Sequence, residues 1–200
     1  MAALCFLVAY LIGSISSAIL ICKALGEPDP RNSGSGNPGA TNVLRQSGKK
    51  AAVLTLAGDV AKGFVPVLIG SLMHAPPLFI AMLAAGAFLG HLYPVFFQFK
   101  GGKGVATLIG ILFGLSWLQG LGFAATWLLV AGLTRYSSLA ALIAASSTPV
   151  LALTLGVNKI IVFTLGAMVM ILIWRHRGNI AKLMRGEESK IGQKKSEPLA

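Results

Sequence analysis

Between Ala2 and Trp174 the chain strings together apolar runs, most of them close to the length of a bilayer crossing, and its charges are swept into the short segments between them. A helix needs about 20 apolar residues to cross the hydrocarbon core of a membrane. Runs of this kind occupy 2–22, 51–72, 78–97, 119–133, 139–156 and 159–174, and a shorter one occupies 105–117. At membrane depth every backbone N–H and C=O must be satisfied within the protein, so runs of this length form helices. The expected fold is therefore all-α: a polytopic membrane bundle of about seven segments, some short or broken. It falls to five full spans if the short segments merge. The run 105–117 joins the next through Ser116–Gly120 and reads as a shallow or broken helix turning back at the membrane surface.

Composition points the same way. Of the residues, 55% are hydrophobic and 12% charged, against about 25% charged in a soluble domain. The first run has no basic start and is too long for the apolar core of a signal peptide, so it reads as a retained helix. Cys5 and Cys22 both lie in that run, without neighbours at metal-ligand spacing. They read as small packing residues, and no metal is expected.

A net charge of +11 would suggest a nucleic-acid partner in a soluble protein. Here the distribution argues for membrane orientation instead, and no nucleic acid is expected. Segment 23–50 carries Lys23, Arg31, Arg45, Lys49 and Lys50; loop 98–104 carries Lys100 and Lys103; loop 134–138 carries Arg135; and seven basic residues follow from Arg175 onward. With seven crossings all of these fall on one face, which the positive-inside rule makes cytoplasmic. The opposite face holds His74 and Lys159. The N-terminus is then outside and the C-terminus inside, and the basic face can also attract anionic lipid headgroups. One membrane-embedded domain is expected over 1–186, followed by a polar tail, 187–200, expected to fray. No internal repeat is visible, which argues against an inverted-repeat transporter.

Four separated segments bring anion-suited groups to the basic face. Residues 31–45 carry three glycines and a proline beside Ser33, Ser35, Asn37, Thr41, Asn42 and Arg45. Glycines let backbone N–H groups approach an anion, hydroxyls and amides add donors, and Arg45 can grip phosphate with two N–H groups. A flexible surface loop is the plainer alternative. Lys100, Gly101, Gly102, Lys103 and Gly104 open the run from Val105, a glycine-rich lead into a helix start with free N–H groups. The spacing is not that of a nucleotide phosphate loop, so nucleotide hydrolysis is disfavoured. A plain basic turn remains the alternative.

His176 and Asn179, beside Arg175 and Arg177, share a face if the last helix continues; an interfacial basic collar would look similar. Ser137 and Ser138 form the fourth polar patch, with helix capping as the simpler role. Within the second run Asp59 and Lys62 share a helix face and should pair or turn into the bundle. His91 reads as a packed histidine. Together these groups imply a pocket for phosphorylated molecules at the inner interface, with apolar walls suited to an acyl chain.

Three stretches carry a resemblance. They are Gly34 to Asn42; Gly90 and His91 with Lys100 to Thr107; and His176 with Asn179 and Glu188. They resemble the three motifs of the bacterial acyl-phosphate-dependent glycerol-3-phosphate acyltransferases, the PlsY family, over nearly the whole chain from Tyr10 to Lys190. The resemblance implies an enzyme of the bacterial cytoplasmic (inner) membrane that acylates the 1-hydroxyl of glycerol 3-phosphate from acyl phosphate, releasing lysophosphatidate and phosphate. It implies that Ser35 and Arg45 are needed for activity, that Gly101 to Gly104 hold glycerol 3-phosphate, that His176 and Asn179 are important, and that Glu188 is structural. It implies no cofactor and no direct use of acyl carrier protein or coenzyme A. Membrane lipids, and other enzymes of phospholipid synthesis, are the expected partners. An anion transporter and an inactive scaffold are the rivals, and the almost purely apolar outer halves of the runs speak against the first.

Overall fold

A computed structural model describes residues 1–193 and is built of helices: α1 (Ala2–Gly13), α2 (Ser17–Ala24), α3 (Ala40–Leu72), α4 (Pro77–Leu92), α5 (Val105–Leu115), α6 (Trp117–Thr134), α7 (Ser137–Thr154), α8 (Lys159–Arg175) and α9 (Arg177–Met184), with a 3-10 turn at Val95–Phe97. Among these residues there is no strand, so the all-α expectation holds. The expected tail extends past them, and 194–200 lie outside the described residues.

Local chemistry sets the helix ends. The first span breaks at Ser14–Ser16 between α1 and α2. α3 kinks at Gly48, whose φ of 80° and ψ of −176° lie in a region essentially reserved for glycine. The kink separates a short arm, from Ala40 to Ser47, from the long span. α4 starts at Pro77, where a missing N–H costs nothing, and stops short of Pro94. α6 ends on Arg135 in the left-handed conformation. α8 is capped by Asn158, whose side chain accepts the Ile160 N–H at 2.9 Å. α9 then turns 56° away from α8.

Counting α1 and α2 as one, five helical stretches are long and apolar enough to cross a membrane, or six if α8 and α9 form one bent span; α5 is apolar but shorter. Each of the seven apolar runs thus corresponds to helix. The run 105–117 differs in placement from the expected surface segment. The break falls at Ser116, which is extended, but α5 itself is packed into the bundle against α3, with Leu108, Ile111 and Leu112 buried. Small residues permit that approach: a Cβ on Gly110 would strike the Val60 carbonyl, and one on Gly63 the Thr107 carbonyl. Close backbone contact of this kind is the usual basis of helix association in lipid.

The core joins Val67, Phe88, Leu92, Leu108, Ile111, Leu112, Leu165 and Leu172. Leu128, Leu129, Leu133, Phe163 and Met170 face outward, as a hydrocarbon solvent allows. The bundle brings the short arm of α3, the start of α5, the start of α7 and the end of α8 together at one end.

Candidate active site

The loop 30–39 is organised by a side chain from the arm that follows it. Asn42 is buried; its Oδ1 accepts the Ser35 N–H at 3.0 Å, and its Nδ2 donates to the carbonyls of Pro30 at 2.9 Å and Ser33 at 3.2 Å. Both amide donors and one of its two acceptor sites are thereby used. Asn42, expected among the phosphate-binding groups, is instead the clamp that presents Ser35. Ser35 is exposed, and Gly34 and Gly36 on either side have φ values of 62° and 68°. In front of them lies a cavity of about 360 Å³ lined by Ser35, Asn37, Gly101, Lys103, Arg175 and Arg177 among others. A second, of about 450 Å³, shares Gly36, Gly101 and Arg175 with it and adds Arg31, Phe99 and Lys100. Arg31 is already committed to Asp29 at 2.7 Å, so Lys100 is the exposed cation there.

The glycine loop is held from one side by Arg175. Its Nη2 donates to the carbonyls of Gly101 and Gly102, each at 2.9 Å, its Nε reaches Gly102 O at 3.3 Å, and its guanidinium lies 5.6 Å from the Tyr93 ring centre. Pulling those carbonyls toward Arg175 constrains the peptide planes and hence the N–H groups of the loop. Gly104 closes the loop with φ 91°, and a side chain there would collide with Phe88. Arg175 was legible only as part of a basic collar. Its position next to His176 was the signal, but the fork onto two carbonyls is tertiary.

Lys103 reaches Asn179, with 2.5 Å between Nζ and Oδ1; Asn179 Nδ2 donates to Glu188 Oε1 at 2.8 Å; and Ser138 Oγ donates to the same oxygen at 2.6 Å. This chain joins the glycine loop ahead of α5, α9, the segment after α9, and α7. Ser137 Oγ lies 3.4 Å from Thr41 Oγ1, and neither serine caps α7, whose N-cap is Tyr136. Arg45, exposed on the α3 arm, donates to Ser189 O at 3.4 Å. Arg135 Nη2 donates to Ile191 O at 3.0 Å, and the Ile191 N–H donates back to Arg135 O at 2.7 Å. The stretch 188–191, which fraying was expected to include, is therefore tied across this face.

Electrostatically the site is a set of cations around the Glu188 carboxylate. Burial pushes the Lys103 ammonium below its usual value, Glu188 pulls it back, and Arg175, Lys182 and Arg45 push it further down. An incoming anion would relieve that mutual repulsion. His176 is 3% exposed. Burial, opposed in part by its backbone hydrogen bond and helped by Lys103, holds it at about 4. Its Nδ1 lies 2.8 Å from Leu172 O. A carbonyl can only accept, so Nδ1 carries the hydrogen and Nε2 keeps its lone pair. Asp59 and Lys62 pair at 2.8 Å inside the bundle, as their spacing implied.

Ser35, Asn37, Lys103 and Gly101 thus share one cavity, with Asn179 and Glu188 one hydrogen bond behind it. Thr41, Arg45, Ser137 and Ser138 lie at the same end of the bundle, and Lys100 lines the neighbouring cavity. Among the described residues no cluster of His, Cys, Asp and Glu could hold a metal.

The described residues thus form a helical membrane bundle with a cation-rich cavity at one end. The family model described as glycerol-3-phosphate acyltransferase matches residues 3–186, and the chain belongs to that family. Proteins named glycerol-3-phosphate acyltransferase from Methylococcus capsulatus and Paraburkholderia phytofirmans are 55% and 52% identical to it, the alignments covering 94% and 96% of this chain and 94% and 92% of theirs. A crystal structure of PlsY (YgiH), an integral membrane glycerol 3-phosphate acyltransferase in its glycerol 3-phosphate form, superposes with a TM-score of 0.91 at 40% identity over 96% of both chains. The lysophosphatidic acid form of the same protein gives 0.88 at 39% identity, over 96% of this chain and 95% of that one.

Proposed function

We propose that this chain transfers an acyl group from acyl phosphate to the 1-hydroxyl of glycerol 3-phosphate, yielding lysophosphatidate and inorganic phosphate. Acyl transfer to glycerol 3-phosphate is the activity for which its family is named. The choice of donor rests chiefly on one observation. Lys103, Arg175, Arg177 and Arg45 gather with Ser35 and a glycine loop at one end of the bundle, around the carboxylate of Glu188. That is more positive charge than one phosphate monoester needs, and it suits two phosphates brought together.

In this reading Lys103 and the N–H groups of Gly101 to Gly104 hold the acceptor's phosphate. Ser35, Asn37 and Arg45 serve the donor's phosphate, with Lys100 and Thr41 at the margins. The acceptor hydroxyl attacks the carbonyl carbon of acyl phosphate, the carbon–oxygen bond to phosphate breaks, and phosphate leaves with the electron pair. The hydroxyl proton passes to the departing phosphate or, through a hydrogen bond, to Nε2 of His176. Phosphate is a good leaving group, so positioning and charge stabilisation can carry the reaction without a strong acid. Asn179 and Glu188 keep Lys103 aimed, and Ser138 anchors that chain from α7, while Ser137 stands against Thr41.

The protein would sit in the bacterial inner membrane with seven crossings, N-terminus outside and site facing the cytoplasm, as the loop charges imply. It needs no cofactor, and contact with other enzymes of phospholipid synthesis would be confined to the inner face. The direct test is purified protein in detergent with glycerol 3-phosphate and each of three donors: acyl phosphate, acyl-coenzyme A and acyl carrier protein thioester. One lysophosphatidate and one phosphate per turnover, with acyl phosphate alone, is the expected result. Comparable rates with a thioester would overturn the donor assignment.

A further inference from the structure

Beneath the glycine loop lies a closed cluster of ionisable side chains that the reaction above does not use. Asp59 and Lys62, on α3, are 3% and 6% exposed and pair at 2.8 Å. Lys62 Nζ also donates to the Ile15 carbonyl at 2.9 Å, satisfying an acceptor freed by the break in the first span. Asp59 Oδ1 is 3.6 Å from Nδ1 of His91, on α4, a close polar contact slightly longer than a hydrogen bond.

His91 in turn meets the loop twice. Its backbone carbonyl accepts the Gly102 N–H at 3.2 Å. Its ring edge, at Nε2, lies so close under the Gly102 Cα that a methyl group there would overlap it, and the backbone carbonyls of His91 and Leu92 similarly crowd Gly101. The loop is therefore clasped between Arg175 on one side and His91 on the other. A buried ion pair is seldom retained for stability, because apolar residues of similar volume usually do as well. Intramembrane charge calls for a role, and the one side chain this cluster orients toward the substrate end is His91.

We propose that Asp59, Lys62 and His91 form a positioning device for the loop that receives the acceptor's phosphate. Lys62 fixes Asp59, Asp59 fixes the His91 ring, and the ring sets the height and tilt of Gly101–Gly102, and so the aim of the N–H groups and of Lys103. None of the three touches substrate. The inference rests on the reading of the glycine loop given above, and it adds the requirement that loop and charge cluster act as one unit.

A double-mutant cycle tests it. Gly102→Ala forces a methyl into the His91 ring, and His91→Ala removes the ring. Each alone should raise KM for glycerol 3-phosphate at least tenfold and leave KM for acyl phosphate within twofold. The double variant should be no worse than Gly102→Ala alone, since the vacated space takes the methyl. The charge arm is read with Asp59→Asn/Lys62→Met, which removes both charges together and should reproduce the selective KM rise. His91→Ala with unchanged KM, equal rises for both substrates, or a double variant whose effect is the product of the two singles would each overturn the proposal. Should His91→Ala not fold, His91→Gln keeps bulk but loses the Asp59 contact, and an unchanged KM there would overturn it equally. If Gly102→Ala itself leaves KM for glycerol 3-phosphate unchanged, the reading of the loop fails first; a normal Gly102→Ala response with a silent His91 sinks only the positioning device.

Discussion

Arg175→Lys keeps the positive charge at the site and removes only the fork. The guanidinium makes three N–H contacts to the carbonyls of Gly101 and Gly102, at 2.9, 2.9 and 3.3 Å. A lysine ammonium at the same place can reach one of them and can still sit near the Tyr93 ring. Hydrogen bonds to charged groups are worth about 1.5–3 kcal/mol each, and two would be lost. Arg175 is only half-buried, so solvent screening reduces the sum to about 2–3 kcal/mol of loop ordering. If about 2 kcal/mol of that appears as weaker acceptor binding, KM for glycerol 3-phosphate rises roughly 30-fold. Titrating glycerol 3-phosphate at saturating acyl phosphate gives KM, and thermal unfolding in detergent reports whether the bundle is intact. A folded variant with KM within twofold of wild type would refute the claim that the fork, rather than the charge, organises the loop.

Asn42→Asp keeps the acceptor for the Ser35 N–H and loses both donors, setting a buried carboxylate against two carbonyls; a stability loss of about 2–4 kcal/mol with at least a tenfold fall in kcat is expected, measured by unfolding and steady-state rates. His176 has its folded value depressed to about 4 from 6.5, so the stability tied to its neutral form is present above 6.5 and drains away as pH falls through about 4. Unfolding temperatures of His176→Asn should therefore vary less than those of wild type between pH 6.5 and 4, and parallel curves would contradict the assignment. For orientation, a membrane-impermeant thiol reagent on intact cells should label Ala75→Cys at once and Lys50→Cys only after permeabilisation.

Crossings and chemistry differed in how far they could be read from the chain. Each apolar run proved to be helix, because in lipid a helix is the only way for a single segment to satisfy its own backbone; the arm of α3 and the short, polar α9 lay outside those runs. The depth of α5 was not legible: its 11 residues are short by the length criterion, and only the glycines of α3 and α5, seen packed together, show why it can sit in the centre. At the candidate site, glycine-rich segments and their charges pointed to groups that the bundle gathers at one end. The roles within them depend on contacts between residues far apart in the chain. Asn42 looked like a free amide until its three partners were visible, Arg175 like a collar residue until its fork met two carbonyls, and 188–191 like a frayed tail until Glu188 joined Ser138 and Asn179. His91, rightly read as packed, also serves as the floor of the glycine loop.

The central claim is that the site holds two phosphates and lets one substrate attack the other directly. Among the described residues no base is hydrogen-bonded to Ser35 Oγ, and the backbone N–H of Ser35 is held by Asn42, an arrangement suited to anion holding rather than to nucleophile activation. The decisive measurement is a single turnover with radiolabelled acyl phosphate, quenched before and after glycerol 3-phosphate is added. No label on the protein is expected before addition, and lysophosphatidate is expected in the first turnover afterwards. A stoichiometric, hydroxylamine-sensitive acyl-enzyme, formed fast enough for turnover and lost in Ser35→Ala, would contradict it.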